Sequence, residues 1–384
     1  VMIVASVAIG VSGFYAEPDH TAGTRELLDV SPAAAIGWVL LVVTCIAAVV
    51  MHHNRLLSLL LVGVIGLIVS LGFIYLSAPD LALTQISVEV VTVILMLLAL
   101  NILPKETPKE SLPGRKLRDG VVSIAAGLGI GGAIWAIMTR DLPNSISAYH
   151  LANSKIEGGG TNVVNVILVD FRGFDTFGEI IVLGIAALSI FALIETVTQG
   201  EAAKRLASWV VSNRRSADRH PMMMVVATRV MLPLSLMVGV YIFLRGHNEP
   251  GGGFIAGLVV SVALVMQYMA SGFGWTQNRM KVNYHGMIGL GVIAAAITGA
   301  SAWVAGLPFL TSGFVHVHLP IVGEFELASA MGFDLGVFLT VVGAVMLALA
   351  KLSQVERMAE HVDVNLDPMD HDPSVRIATP EKEA

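Results

Sequence analysis

Cysteine is nearly absent: the 384 residues contain one, Cys45. A lone thiol excludes an intrachain disulfide framework and an internal iron–sulfur cluster. Set within an apolar stretch, Cys45 reads as a small packing hydrophobe. Charge is also scarce, at 14% Asp, Glu, Lys and Arg, where soluble domains carry about one quarter. With 55% hydrophobic residues and a mean hydropathy of +0.76, water would not dissolve the fold. No basic nucleic-acid footprint exists, because the formal net charge is −6. Eight of the 29 acids fall in the last 35 residues, so the negative sign describes a tail. Also missing are a haem-attachment CxxCH and a Ser/His/Asp nucleophile arrangement, so no cofactor, electron transfer or enzymatic reaction is expected of this chain. The first apolar stretch, about fifteen residues from Val1, lacks the basic n-region and cleavage site of a signal peptide. It reads as the remnant of a helix, either in a longer protein or after an alternative start codon.

Long apolar runs, in contrast, are plentiful. Runs of bilayer length occur at about 33–51, 56–76, 81–103, 119–138, 176–196, 222–244, 253–271, 286–306 and 331–350. With the short first run they predict an all-α polytopic membrane protein of about ten transmembrane helices. Lys and Arg test that division, because a wrong helix count would place basic loops on both sides. Alternate loops carry seventeen on one side and five on the other. Both ends of the chain are therefore predicted cytoplasmic, with loops 139–175 and 307–330 outside. Composition divides the chain into 1–110, 111–200, a basic cytoplasmic linker 201–221, a four-helix section 222–350 and an acidic tail 351–384. The tail beyond Gln354 is polar and is expected to be poorly ordered.

An acid within hydrocarbon is expensive and is a functional hypothesis by default. Glu89 stands in the span 81–103 with Gln85 at i−4 and Thr92 at i+3, flanked by Thr84. That spacing makes a polar stripe on one helix face. Two readings fit: a carboxylate that exchanges protons or holds a dehydrated Na⁺, and a structural Glu bonded to a neighbouring helix. Asp80, in Ser77-Ala-Pro-Asp80, reads as a first-turn acid behind an N-cap, and capping alone explains it. Asp334, at the start of the last span, reads the same way. Glu179 follows Asp170-Phe-Arg172-Gly-Phe-Asp175, where acids and an arginine converge at an outer boundary. It either ends a water-filled half-channel or favours the local helix dipole. The preceding Asn162–Val169 run is apolar but too short to span, which suggests an interfacial or re-entrant segment.

His247-Asn-Glu249-Pro-Gly-Gly-Gly-Phe254 joins two spans on the outer side and lacks the Lys-Ser/Thr of a phosphate loop. Its glycines permit a tight hairpin or close backbone approach, and His247 or Glu249 could instead admit protons. Arg229 lies inside a span, where it can snorkel towards the cytoplasm or meet a buried partner. Residues 314–327 alternate with period two, predicting a small outer β-hairpin around Pro320–Gly323. A metal could bind His316, His318, Glu324 and Glu326 only if both pairs share a face. Two- or four-residue turns separate them; a three-residue turn aligns them.

Four segments carry a family resemblance. Ser77-Ala-Pro-Asp-Leu-Ala-Leu-Thr-Gln-Ile-Ser-Val-Glu-Val-Val-Thr92 and Asn162-Val-Val-Asn-Val-Ile-Leu-Val-Asp-Phe-Arg-Gly-Phe-Asp-Thr-Phe-Gly-Glu179 resemble the C-terminal region of the large MrpA protein of Mrp-type Na⁺/H⁺ antiporters. Gly246-His-Asn-Glu-Pro-Gly-Gly-Gly-Phe254 and Phe333-Asp-Leu-Gly336 resemble its companion MrpB. The resemblance spans about residues 30–350 and implies an MrpA tail fused to MrpB, within a bacterial inner-membrane complex of several subunits that exchanges Na⁺ for H⁺. It places Glu89 and Glu179 on acids used in ion transfer. The long antiporter-like portion of MrpA does not precede Val1, so a complete antiport route is not expected in this chain alone. A related redox-driven pump, such as a membrane-bound hydrogenase, is the alternative host, with this chain as a non-transporting adaptor.

Overall fold

The computed structural model describes residues 29–100, 113–140, 145–198, 222–272, 275–276, 282–319 and 323–360, with six isolated positions (5, 8, 10, 12, 23 and 25) before them. Its long helices are α1 (Pro32–Val50), α2 (Arg55–Tyr75), α3 (Pro79–Leu100) and α4 (Pro113–Met138). Two short helices follow, α5 (Ser147–Asn153) and α6 (Val163–Val166), then a π-helical turn at Ile167–Phe171 and α7 (Gly173–Thr198). The last part holds α8 (Met222–Arg245), α9 (Gly253–Ser271), α10 (Tyr284–Ser301), a hairpin of β1 (Phe314–Leu319) and β2 (Gly323–Ala328), and α11 (Ala330–Glu360). Among the described residues, nine helices are long and apolar enough to cross a membrane. Of the tenth expected span only positions 5, 8, 10 and 12 are described, each helical, and linker 201–221 lies outside the described residues. One expectation is corrected: α11 continues past Gln354 to Glu360, because its polar last turns extend an already formed helix.

Local chemistry sets several helix starts. The Ser31 side chain accepts the Ala34 N–H ahead of Pro32, and Asn54 and Asn283 do the same for Leu57 and Gly286. Helix α9 starts differently. It begins after Gly252, at φ +104°, with no side-chain cap of its own.

Helix α9 is also the centre of the bundle. It packs against α3, α8 and α11, and α11 in turn packs against α7 and α10. Small residues such as Ala256, Gly257 and Ser261 bring α9 close to its neighbours, and 72% of its span is buried. Helix α4 has no buried residue at all. Helix α4, and the face of α1 turned away from α2, thus present apolar side chains outward, which suits lipid or another protein rather than water.

The hairpin pairs Leu319 with Gly323 across three residues, His316 with Glu326 and His318 with Glu324. This is the turn length that places both pairs on one face by register. Their side chains lie outside the described residues. Among those that are described, no group of three or more His, Cys, Asp or Glu could hold a metal.

Candidate functional site

Glu89 is the eleventh of the 22 residues of α3, midway through a span. Helix α2 returns antiparallel beside it, and the Glu89 side chain packs against Gly66. Glu89 and Gln85 are half-buried, and no ion pair joins Glu89 to a cation among the described residues. The polar stripe is shorter than its spacing suggests. Thr84 donates to the Asp80 carbonyl at 2.8 Å, and Thr92 is exposed and donates to the Val88 carbonyl. Hydroxyls four residues beyond a carbonyl in a helix satisfy themselves this way. The side chains of the stripe that bond no carbonyl of their own helix therefore reduce to Glu89 and Gln85. Ser70, one turn beyond Gly66 on α2, is buried, and its Oγ has no hydrogen-bond partner among the described residues.

A second constellation surrounds loop 246–252. The Asp80 carboxylate accepts the Gly251 N–H at 2.8 Å, and Asp334 accepts the Gly253 N–H at 2.6 Å. Both acids were expected to serve their own helices. Asp334 lies beyond the first turn of α11 and supplies the cap that α9 lacks. Asp80 does stand in the first turn of α3, yet its carboxylate reaches across to a residue 171 positions away. Asn162 adds two bonds, donating to the carbonyls of Gly246 at 3.1 Å and Glu249 at 3.0 Å. Thr161 bonds Asn248, and the His247 ring lies 2.9 Å from the Gly158 carbonyl. Glu249 is held by Arg245 at 3.0 Å. His247 and Glu249 are thus engaged in holding the loop.

Glycine is required in this loop by contact. A Cβ on Gly251 would strike the Ile242 carbonyl, and one on Gly253 would strike the Asp334 backbone. Sequence reasoning assigned the loop a structural role but missed its partners. The available signal was the pair Asn162 and Asn165, polar residues at i, i+3 within an apolar run, both buried here.

The run 162–169 does not cross the bundle and is two-sided, with Val164 and Leu168 exposed on one face. Val166 and Val169 are buried, the latter in a core with Ile180, Leu310 and Phe333. Single π turns inside helical segments are frequent at functional sites. The acids around it do not converge as expected. Arg172 pairs with Asp175 at 2.5 Å, both exposed, whereas Asp170 turns inward and accepts the Ser312 N–H at 3.0 Å. Glu179 is exposed on α7 and is not brought to Glu89. Arg229 is exposed too, its guanidinium 5.7 Å from the Trp275 ring centre, towards the bundle end opposite loop 246–252. That geometry fits the snorkelling reading.

The family model described as "Domain related to MnhB subunit of Na+/H+ antiporter" matches residues 223–347. Models for MbhE and MbhD, two subunits of MBH, match 114–204 and 40–105. A probable fused A/B component of a K(+)/H(+) antiporter from Rhizobium meliloti is 42% identical over 346 residues, covering 84% of this chain and 34% of the relative. The B component of the Na(+)/H(+) antiporter of Bacillus subtilis is 40% identical over 130 residues, 34% of this chain and 91% of the relative. In the structure of the Mrp complex from Dietzia sp. DQ12-45-1b, one chain superposes with a TM-score of 0.78 at 33% identity, covering 92% of this chain and 38% of that one. This chain thus spans about a third of the length of the fused relative. With a superposition over 92% of this chain and a B component matched nearly end to end, the chain belongs to the Mrp family of multisubunit Na⁺/H⁺ antiporters, corresponding to the C-terminal region of MrpA joined to MrpB.

Proposed function

We propose that this chain is part of a secondary antiporter that exchanges Na⁺ or another monovalent cation for H⁺ across a bacterial inner membrane. It is a transporter component rather than an enzyme, with no cofactor beyond the ions carried. The carrying observation is Glu89, half-buried midway through a span without a paired cation among the described residues. A carboxylate there costs about 3 kcal/mol or more when charged and unpaired. A proton or a monovalent cation is the simplest neutraliser, and alternating between the two is the elementary step of antiport. Gln85, one turn away, offers an amide oxygen to the same ion.

Glu179 is the second acid of the route. Exposed on α7 within a membrane span, it needs a covering surface, and a neighbouring protein of the complex supplies one. Asp175 and Arg172 stand at its outer side. The 222–350 section scaffolds neighbouring subunits, lipid covers the remaining apolar surface, and both ends of the chain face the cytoplasm.

The test replaces Glu89 by Gln in the assembled complex and follows Na⁺- or K⁺-dependent collapse of ΔpH in everted vesicles. Loss of exchange with normal assembly of the complex is expected; near-normal exchange would end the assignment. Glu179→Gln is run beside it with the same assembly control.

The two models named for MBH subunits favour a second reading, an adaptor in a redox-driven relative. Genes for hydrogenase or iron–sulfur proteins beside this one would support it, and a run of small antiporter genes would support the first.

A further inference from the structure

Gly66 on α2 is where the bundle constrains Glu89 most closely. A Cβ built there would overlap Oε2 and Cδ of Glu89 and lie 2.9 Å from its Cγ. Three residues earlier, Gly63 behaves differently: its Cβ would lie 3.8 Å from Glu89 Oε1 and 3.5 Å from Val93 Cγ2, ordinary contact distances. At Gly66 alanine does not fit while the carboxylate stays where it is.

We propose that Gly66 is a positioning residue for the ion-transfer step: its missing side chain is the notch that holds the Glu89 carboxylate midway between α2 and α3. This rests on the reading of Glu89 as an ion-transfer group. What a methyl group at Gly66 would strike is mostly the far end of a flexible side chain, which can swing aside. Gly66→Ala therefore keeps the fold and moves the carboxylate. A group that accepts an ion in turn from a neighbour on each side is sensitive to such a shift, since misplacement by about 1 Å costs orders of magnitude in reactions that depend on geometry.

The experiment uses the complete complex in everted vesicles, with cation-dependent ΔpH collapse read as a function of pH and cation concentration. Gly66→Ala is expected to slow exchange roughly tenfold or more and to displace its pH profile. Gly63→Ala, the same change in the same helix, should leave both unaltered. Adding Glu89→Asp to Gly66→Ala withdraws the carboxylate by one methylene and should recover part of the lost activity. Should Gly66→Ala impair assembly instead, recovery of assembly by Glu89→Asp supports the notch equally, because only a steric conflict between these two residues foretells it. Wild-type rate and pH profile in Gly66→Ala, equal damage from Gly63→Ala, or no recovery in the double variant would each overturn the proposal. If Glu89→Gln abolishes exchange while Gly66→Ala is normal, the notch fails and the role of Glu89 stands. If Glu89→Gln exchanges normally, both fall.

Discussion

Single side chains in this protein are assigned by where their polar atoms end. Thr84 and Thr92 occupy the spacing of an ion path, yet both hydroxyls bond carbonyls of their own helix. Asp170 is the titratable group outside the spans whose setting has the clearest consequence for pH. Burial pushes its pKa above the ordinary carboxylate value, against the opposing influence of the Ser312 N–H and of His247 nearby. A folded-state value that is raised means the native protein binds the proton more tightly than the unfolded chain. The resulting stabilisation is complete below the ordinary value of about 4 and is lost as pH rises through the elevated one. Thermal midpoints of the detergent-solubilised complex should carry a component that declines across this window. Asp170→Asn keeps an acceptor for Ser312 without a charge and should remove that component; an unchanged pH slope would refute the assignment.

At the scale of elements, loop 246–252 is held by acceptors from α3 and α11 and by donors from the segment before α6. Asp80→Ala should destabilise the complex by about 1–3 kcal/mol, because the buried Gly251 N–H loses its acceptor. Asp80→Asn retains an oxygen and should cost less, which thermal midpoints of the two variants would reveal. Hydropathy was sufficient to locate these helices: all nine described spans overlap the apolar runs, with α4 beginning earlier and α11 ending later than its run, since bilayer length and burial of backbone polar groups leave few alternatives. Period-two alternation likewise located the hairpin. The partners of Asp80 and Asp334 were not legible. A first-turn acid looks the same whether it caps its own helix or a backbone N–H 171 residues away, because the sequence does not say which helices are neighbours. Gly66 was silent for a related reason, a glycine in an apolar helix having no pattern that names what lies opposite.

Over the whole molecule, the contacts agree with the alternation of the chain. Asp80, Asn162, loop 246–252, Ser312 and Asp334 all belong to one end of the bundle, the end that the Lys and Arg count assigns to the outside. The other end carries Thr198 and Met222, the helix termini that flank the basic linker 201–221. A protease site placed in it should be cut in everted vesicles and protected in right-side-out ones. After cutting, the two pieces should still purify together through the Asp80 and Asn162 bonds and the packing of α9 on α3; separation in mild detergent would contradict this. Where those contacts suffice to hold the two parts, the peptide join fixes number rather than affinity. Translation as one reading frame delivers both parts in equal amounts, at a local concentration on the order of millimolar. A genome can then split or fuse the two coding regions without rebuilding the interface.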